Sequence, residues 1–162
     1  MSVGGFYTLK LFHTQLLVSV ENMCTAKKFI MAGYSGTPLL KKLGITESAG
    51  LFLVNAPVEY GDLLGIDVKK QLVKKIREAD FFHIFCQHRK ELEKQFTVIV
   101  ETAKSSAVVW ISWYKKSSKI PTDITEDVIR EIVLPTGWVD VKVCAVTDVW
   151  SGLKIVKRVK NR

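Results

Sequence analysis

Small domains that cannot build a core are held by cysteine pairs or bound zinc, and this chain has the residues for neither. Its three cysteines, Cys24, Cys86 and Cys144, are odd in number, far apart and never in a C-x-x-C pair. That excludes a disulfide framework or a zinc ribbon as the organising device, and it makes a reducing cytoplasm the default setting. Long apolar runs are missing too: stretches such as residues 107–113 fall far short of the ~20 residues a membrane-spanning helix needs. No basic segment followed by a small-residue cleavage site opens the chain, and "LLVSV" near its start is too short for an anchor. Also absent are a Walker A loop, a G-x-S-x-G elbow, and any zinc-finger, homeodomain or RNP signature.

What is present fits one globular domain. The 162 residues are 48% hydrophobic and 25% charged, and a domain of that size buries roughly 70% of its unfolded surface. The net charge is +8. A basic balance attracts anionic partners only when the charge gathers on one surface, and here the lysines are scattered as the pairs Lys41-Lys42, Lys69-Lys70, Lys74-Lys75 and Lys115-Lys116. The densest run is "KIVKRVKNR", residues 154–162. With no reading motif to direct them, these are solvated faces, and nucleic acid is not the expected partner.

Residues 1–30 lack the punctuation of the remainder and read as a peripheral extension, with a targeting or partner-binding arm as the sharper alternative. The domain proper is expected over residues 31–162. Met31 opens "MAGYSGTPLLKKLGI", in which Thr37 suits a helix cap, Pro38 its first turn and Gly44 its end. From Gly50 strands and helices alternate. The runs "LFLVN" (51–55), "DFFHIFC" (80–86) and "AVVWISW" (107–113) are short, continuous and apolar, as strands buried on both faces of a sheet should be. Between the first and second, Val68, Leu72, Val73 and Ile76 recur at helical spacing, although Gly65 to Val68 could instead add a strand. After Cys86, Leu92, Phe96, Ile99 and Val100 line one face of a helix.

A later helix begins near Thr122 or Asp123, with Glu126 completing a capping-box pattern and Ile124, Val128 and Ile132 as its apolar stripe. It must end before Pro135-Thr136-Gly137. "WVDVKVCAV" and "WSGLKIVKRV" then read as two strands joined by a turn at Trp150-Ser151-Gly152. The fold class expected is α/β: three layers around a mostly parallel, Rossmann-like sheet closed by an antiparallel strand pair.

Ligands of open α/β sheets bind beyond the carboxyl ends of the strands. In this chain those ends carry Asn55-Ala56-Pro57, Gln87-His88 and Tyr114 to Ser118. Lys115 and Lys116 bring positive charge, Ser117 and Ser118 bring hydroxyls, and the backbone amides of Thr122 and Asp123 bring a helix start. With Asn55 they make a candidate site for a small anionic ligand. The plainer reading of the same residues is a lysine-rich connector. A dinucleotide or methyl-donor cofactor needs a glycine-rich turn after the first strand so that amides can approach it. Here the turn is "NAPVEYG", whose proline has no amide hydrogen, and no cofactor is assigned.

"HIFCQH" invites a metal reading, but strand alternation sends His83 and Cys86 to opposite faces, so both are expected in the core. Cys86 as a nucleophile with His88 as its base is the alternative. Trp110 and Trp113 likewise point to opposite faces, and Trp138 and Trp150 are read as core residues.

The segments "AGYSGTPLLKKLGI", "VNAP", "WISWYKKSS", "TDITEDVIRE", "VDVKVCAV" and "WSGLK" together resemble an uncharacterised family of small bacterial proteins related to an actinobacterial group. The likeness runs from Met31 to Arg158, is weakest over residues 58–80, and implies no activity. The order of elements is also similar to that of class I methyltransferases, which implies a reduced, non-methylating version of that arrangement. A small binding or regulatory protein is therefore expected ahead of an enzyme acting on a phosphorylated or acidic substrate, since no nucleophile, base and orienting group occur together.

Overall fold

The computed structural model describes residues 36–161, so the expected extension at residues 1–30 and its boundary at Met31 lie outside the described residues. Strands β1 (Leu51–Val54), β2 (Phe81–Phe85), β3 (Val108–Tyr114), β4 (Trp138–Ala145) and β5 (Trp150–Lys157) form one five-stranded sheet in the order β1-β2-β3-β5-β4. The three apolar runs are the parallel strands, with Leu51 beside Phe81 and Phe81 beside Val108. β5 runs against both of its neighbours, so β4 points the same way as β1 to β3.

Period-two alternation divides each strand between two apolar layers. On one side Phe82, Ile84, Val109, Ile111, Leu153 and Ile155 pack under α3 (Arg89–Thr102) and α4 (Glu126–Val133). α3 lays Leu92, Phe96 and Ile99 on the sheet, and burying each such side chain stabilises the fold by about 1.5–3 kcal/mol relative to leaving it exposed. On the other side Leu51, Phe81, Phe85 and Trp110 pack under α1 (Leu39–Leu43) and α2 (Tyr60–Leu64). Gly44 ends α1 at φ 75°, a left-handed position that only glycine occupies without strain. The indole of Trp110 donates to the Leu43 carbonyl at 3.0 Å, fastening that helix end to the sheet.

Several local expectations are corrected. α1 has Pro38 rather than Thr37 at its N-cap position, with no side-chain cap bond. The lysine-rich stretch at 68–79 forms no long helix. Gln71 and Val73 instead bond to the backbone of Leu51, making a single parallel bridge at Leu72, and only Ile76–Glu78 turns helically. The free edge of β1 supplies hydrogen bonds that outcompete weak helical periodicity, and Leu72 is left 46% exposed. In α4 the residues pressed into the core are Ile129 and Val133, while Ile124 is buried ahead of the helix and Val128 and Ile132 pack at its margin.

The turn read at Trp150-Ser151-Gly152 is strand, and the connection lies at residues 146–149. Gly152 marks a close approach instead: a β-carbon there would sit 2.9 Å from Val146 Cγ2, 3.2 Å from Trp110 Cε3 and 3.3 Å from Ser112 Oγ.

β4 is an edge strand whose pairing with β5 slips at a bulge between Asp140 and Lys142. Arg130 of α4 reaches Asp140 at 3.0 Å and also pairs with Glu126 and Asp127, clamping the helix to that edge. Among the described residues no helix is long and apolar enough to cross a membrane.

Because three contacts already crowd Gly152, Gly152→Ala should lower stability by about 1–3 kcal/mol through overpacking. Urea unfolding should show an earlier midpoint with an unchanged slope, and a wild-type midpoint would refute the close approach.

Candidate functional site

All three parallel strands end on one edge of the sheet, and the β4–β5 hairpin turns at that same edge. Each connection there is built differently. β1 stops at Asn55, which adopts φ 52°, a left-handed conformation that asparagine tolerates better than most residues. Its side-chain amide donates to Glu91 Oε1 at 2.5 Å and towards the Phe85 carbonyl at 3.4 Å, tying the end of β1 to β2 and α3. The chain then passes through Pro57 and the fully exposed Val58 into α2.

After β2, the Gln87 carbonyl accepts from Thr122 Oγ1 at 2.8 Å, and the Gln87 side chain donates to the Pro121 carbonyl at 2.7 Å. After β3, a single 3-10 turn at Lys116–Ser118 leads towards α4. α4 is capped by Thr125, whose hydroxyl accepts from the Val128 amide at 3.2 Å, and not by Thr122 or Asp123.

Asn55 and the Lys115–Ser118 loop therefore share an edge, but β2 separates them. The polar groups expected to face an anion are mostly engaged within the protein. Lys115 Nζ donates to the Thr147 carbonyl at 2.7 Å, and Ser118 Oγ donates to the Lys115 carbonyl at 2.7 Å while accepting from the Ile120 amide. The Thr122 hydroxyl also accepts from the Ile124 amide. The Asp123 amide bonds to the Gln87 carbonyl, and the Asp123 carboxylate accepts the Arg89 amide at 2.7 Å. Asn55, Lys116, Ser117 and Asp123 are the exposed members of the set, and of these Lys116 and Ser117 make no side-chain bond among the described residues. Asp123 and Glu91 add negative charge to the edge.

A concavity on this edge lies elsewhere. A cavity of about 310 Å³ opens between α1 and the residues before it (Thr37, Lys42), the β1–α2 connection and α2 (Pro57, Asp62) and the hairpin (Thr147, Trp150). Trp150 stacks on Tyr114 at 3.9 Å between ring centroids and meets Phe85 nearly at right angles at 5.1 Å, which fixes the indole. Apart from Pro57 beyond the end of β1, nothing in the local sequence signalled these residues, because three connections far apart in the chain assemble them.

A second arrangement lies beneath α2. The Tyr60 hydroxyl is 2.9 Å from His83 Nδ1, and His83 Nε2 is 2.7 Å from Ser112 Oγ, in a chain whose members are all buried. Burial pushes His83 down to about 3 and raises Tyr60 above the ordinary tyrosine range. A neutral imidazole donates from one nitrogen and accepts at the other, so both bonds are satisfied by one tautomer. The signal in the sequence was a lone histidine and a lone serine, each inside an otherwise apolar strand run. The expectation of a core histidine holds.

Cys86 is also core, facing the opposite layer as alternation required. Its thiol is pushed up to about 12 by burial and then by the charges of Glu91 and Asp123. His88 lies 3.9 Å from the Asp123 carboxylate. Cys86 is thus not an activated nucleophile, since the thiolate is the reactive form. Among the described residues no group of three histidine, cysteine or acidic side chains is placed to hold a metal.

Comparison with known protein families finds no matching family, so the likeness to small bacterial proteins is not carried by a family match. No curated protein matches either. Solved structures give distant likenesses. Magnesium protoporphyrin IX methyltransferase from Synechocystis with bound SAM is 12% identical over 54% of this chain and 45% of that one, with a TM-score of 0.41. The chain thus spans under half of that enzyme's length. A putative type 11 methyltransferase from Sulfolobus solfataricus is 14% identical over 68% and 85%, with a TM-score of 0.47. A precorrin-6y C5,15-methyltransferase from Geobacter metallireducens is 12% identical over 74% and 86%, with a TM-score of 0.44. Likenesses this remote concern the fold only.

The depressed His83 has a measurable consequence. Its ordinary value is 6.5 and its folded value about 3, so below pH 6.5 the unfolded chain binds a proton that the folded chain refuses. Its contribution is fully present above pH 6.5 and is lost as pH falls towards 3. By pH 5 the loss should reach roughly 2 kcal/mol. His83→Phe should be less stable at pH 7, with Tyr60 and Ser112 unpartnered, yet should lose less stability than wild type between pH 7 and pH 5. Equal losses in paired urea titrations would show that His83 does not carry the effect.

Proposed function

We propose that the protein is a reduced, methyltransferase-like α/β protein that binds a small molecule at the carboxyl edge of its sheet and does not transfer methyl groups. The observation that carries this reading is the cavity of about 310 Å³ beside the ends of β1 and β4. Its position is where open α/β sheets take ligands, and its size is at the lower end of the range for small-molecule sites.

The turn after β1 argues against a methyl donor. A cofactor of that kind is approached by amides from a glycine-rich turn, whereas this turn offers Asn55, whose side chain is committed to Glu91, and Pro57, which has no N–H. An enzymatic role finds no support in the buried Tyr60–His83–Ser112 chain, because a substrate has no access to residues so enclosed and a histidine held near 3 is a poor base at neutral pH. The anion-accepting edge of Asn55, Lys115 to Ser118, Thr122 and Asp123 is the weaker proposal, with Lys116 and Ser117 as its uncommitted donors.

Thermal-shift screening against a panel of small metabolites tests the reading. A ligand supplied at about 100 times its Kd should raise the melting temperature by roughly 5–10 °C. The shift should vanish in Leu63→Trp, which fills the cavity from one wall. S-adenosylmethionine, the ligand named for the Synechocystis neighbour, should give no shift. A shift by S-adenosylmethionine, or a ligand response that Leu63→Trp leaves intact, would overturn the assignment.

A further inference from the structure

The charges around the cavity are unlike those of the rest of the protein. Over the whole chain basic residues outnumber acidic ones by 24 to 16, yet the lining holds Glu59, Asp62 and Asp148 against the single lysine Lys42. Many acidic side chains elsewhere are matched with cations: Asp80 with Lys104, Glu93 and Glu131 with Arg89, and Glu126, Asp127 and Asp140 with Arg130. Glu47, Asp67, Glu91 and Glu101, unpaired with a cation among the described residues, line no part of this cavity. Glu59, Asp62 and Asp148 are exposed and have no cation within ion-pair distance among the described residues.

The lysines near the mouth keep to the β4 side. Lys142 Nζ donates to the Lys42 carbonyl at 3.1 Å, Lys115 Nζ is held by the Thr147 carbonyl, and all three of Lys42, Lys115 and Lys142 act electrostatically on Cys144. The α2 wall, bearing Glu59 and Asp62, is left purely acidic. Between the walls lie the apolar Leu39, Leu63 and Val146 and the indole of Trp150. An aromatic face attracts a cation through its quadrupole, unpaired carboxylates add a screened Coulomb attraction, and the apolar surface rewards a hydrocarbon body.

We propose that the cavity takes a small organic cation, an amine with an apolar or aromatic body, its charge facing Glu59 and Asp62 and its body resting on Trp150. This rests on the cavity being the ligand site, and it reverses the sign of the ligand charge expected from the lysines of the Lys115–Ser118 loop.

Three probes of similar shape test the charge: 2-phenylethylamine, the neutral 2-phenylethanol and the anion 3-phenylpropionate, titrated into the full chain by NMR and tryptophan fluorescence at low salt. The amine should bind roughly tenfold more tightly than either of the others. That preference should fall to parity in the Glu59→Gln/Asp62→Asn double variant and shrink in 1 M salt. If alcohol or acid binds as well as the amine, the cavity remains a small-molecule site and the charge assignment is wrong. If no probe binds while the metabolite panel yields a ligand blocked by Leu63→Trp, the assignment to an aromatic or apolar amine is likewise wrong. If neither the probes nor the panel yields a ligand, the small-molecule reading itself falls.

Discussion

The constraint on which the structure depends is that β1, β2 and β3 are parallel and packed against apolar side chains on both faces. A parallel strand pair cannot be joined by a tight turn, so each connection must cross the sheet. α3 is such a crossover, and it seals one face with Leu92, Phe96 and Ile99. The other face is closed by α1 and α2, short helices of five residues each. Such short helices are marginal alone, and here they are held from below. Trp110 grips the end of α1, and Tyr60 anchors α2 through His83 to Ser112.

Helices so placed also shape the site. α2 carries Asp62 and Leu63 on one side, facing the cavity, and Tyr60 on the side pressed against the sheet. The buried hydrogen-bond chain and the cavity wall therefore belong to one element, and the polar core holds that wall in place. The insertion of β5 between β3 and β4 has a similar effect. Because β5 runs backwards, the hairpin before it turns at the carboxyl edge of the parallel strands and delivers Thr147, Asp148 and Trp150 to the cavity there.

Much of the scaffold was legible in the sequence because it is written in short-range pattern. Unbroken apolar runs marked the parallel strands, and Leu92, Phe96 and Ile99 marked α3. Misreadings arose where long-range contacts outweighed local signals. The spacing of Val68, Leu72 and Val73 looks helical, yet Leu51 binds that stretch as a bridge. Trp150-Ser151-Gly152 looks like a turn, yet Gly152 is small because Trp110, Ser112 and Val146 approach it. The lysines and hydroxyls after β3 looked like ligand donors, but Lys115, Ser118 and Thr122 are spent on neighbouring carbonyls. The cavity could not be read from any single segment, since its charge pattern exists only once α1, α2 and the hairpin converge.

The bulge in β4 bears on how the protein behaves in a crowded solution. Among the described residues no strand pairs with the outer side of β4, and Val141 there is 59% exposed. A straight, apolar border of this kind would recruit strands from other chains. The slip between Asp140 and Lys142 breaks the even spacing of backbone donors and acceptors that a visiting strand would need, and a lysine at the break adds charge that must be desolvated. The irregularity thus works as a guard on the sheet's open border, keeping it from growing by one chain at a time.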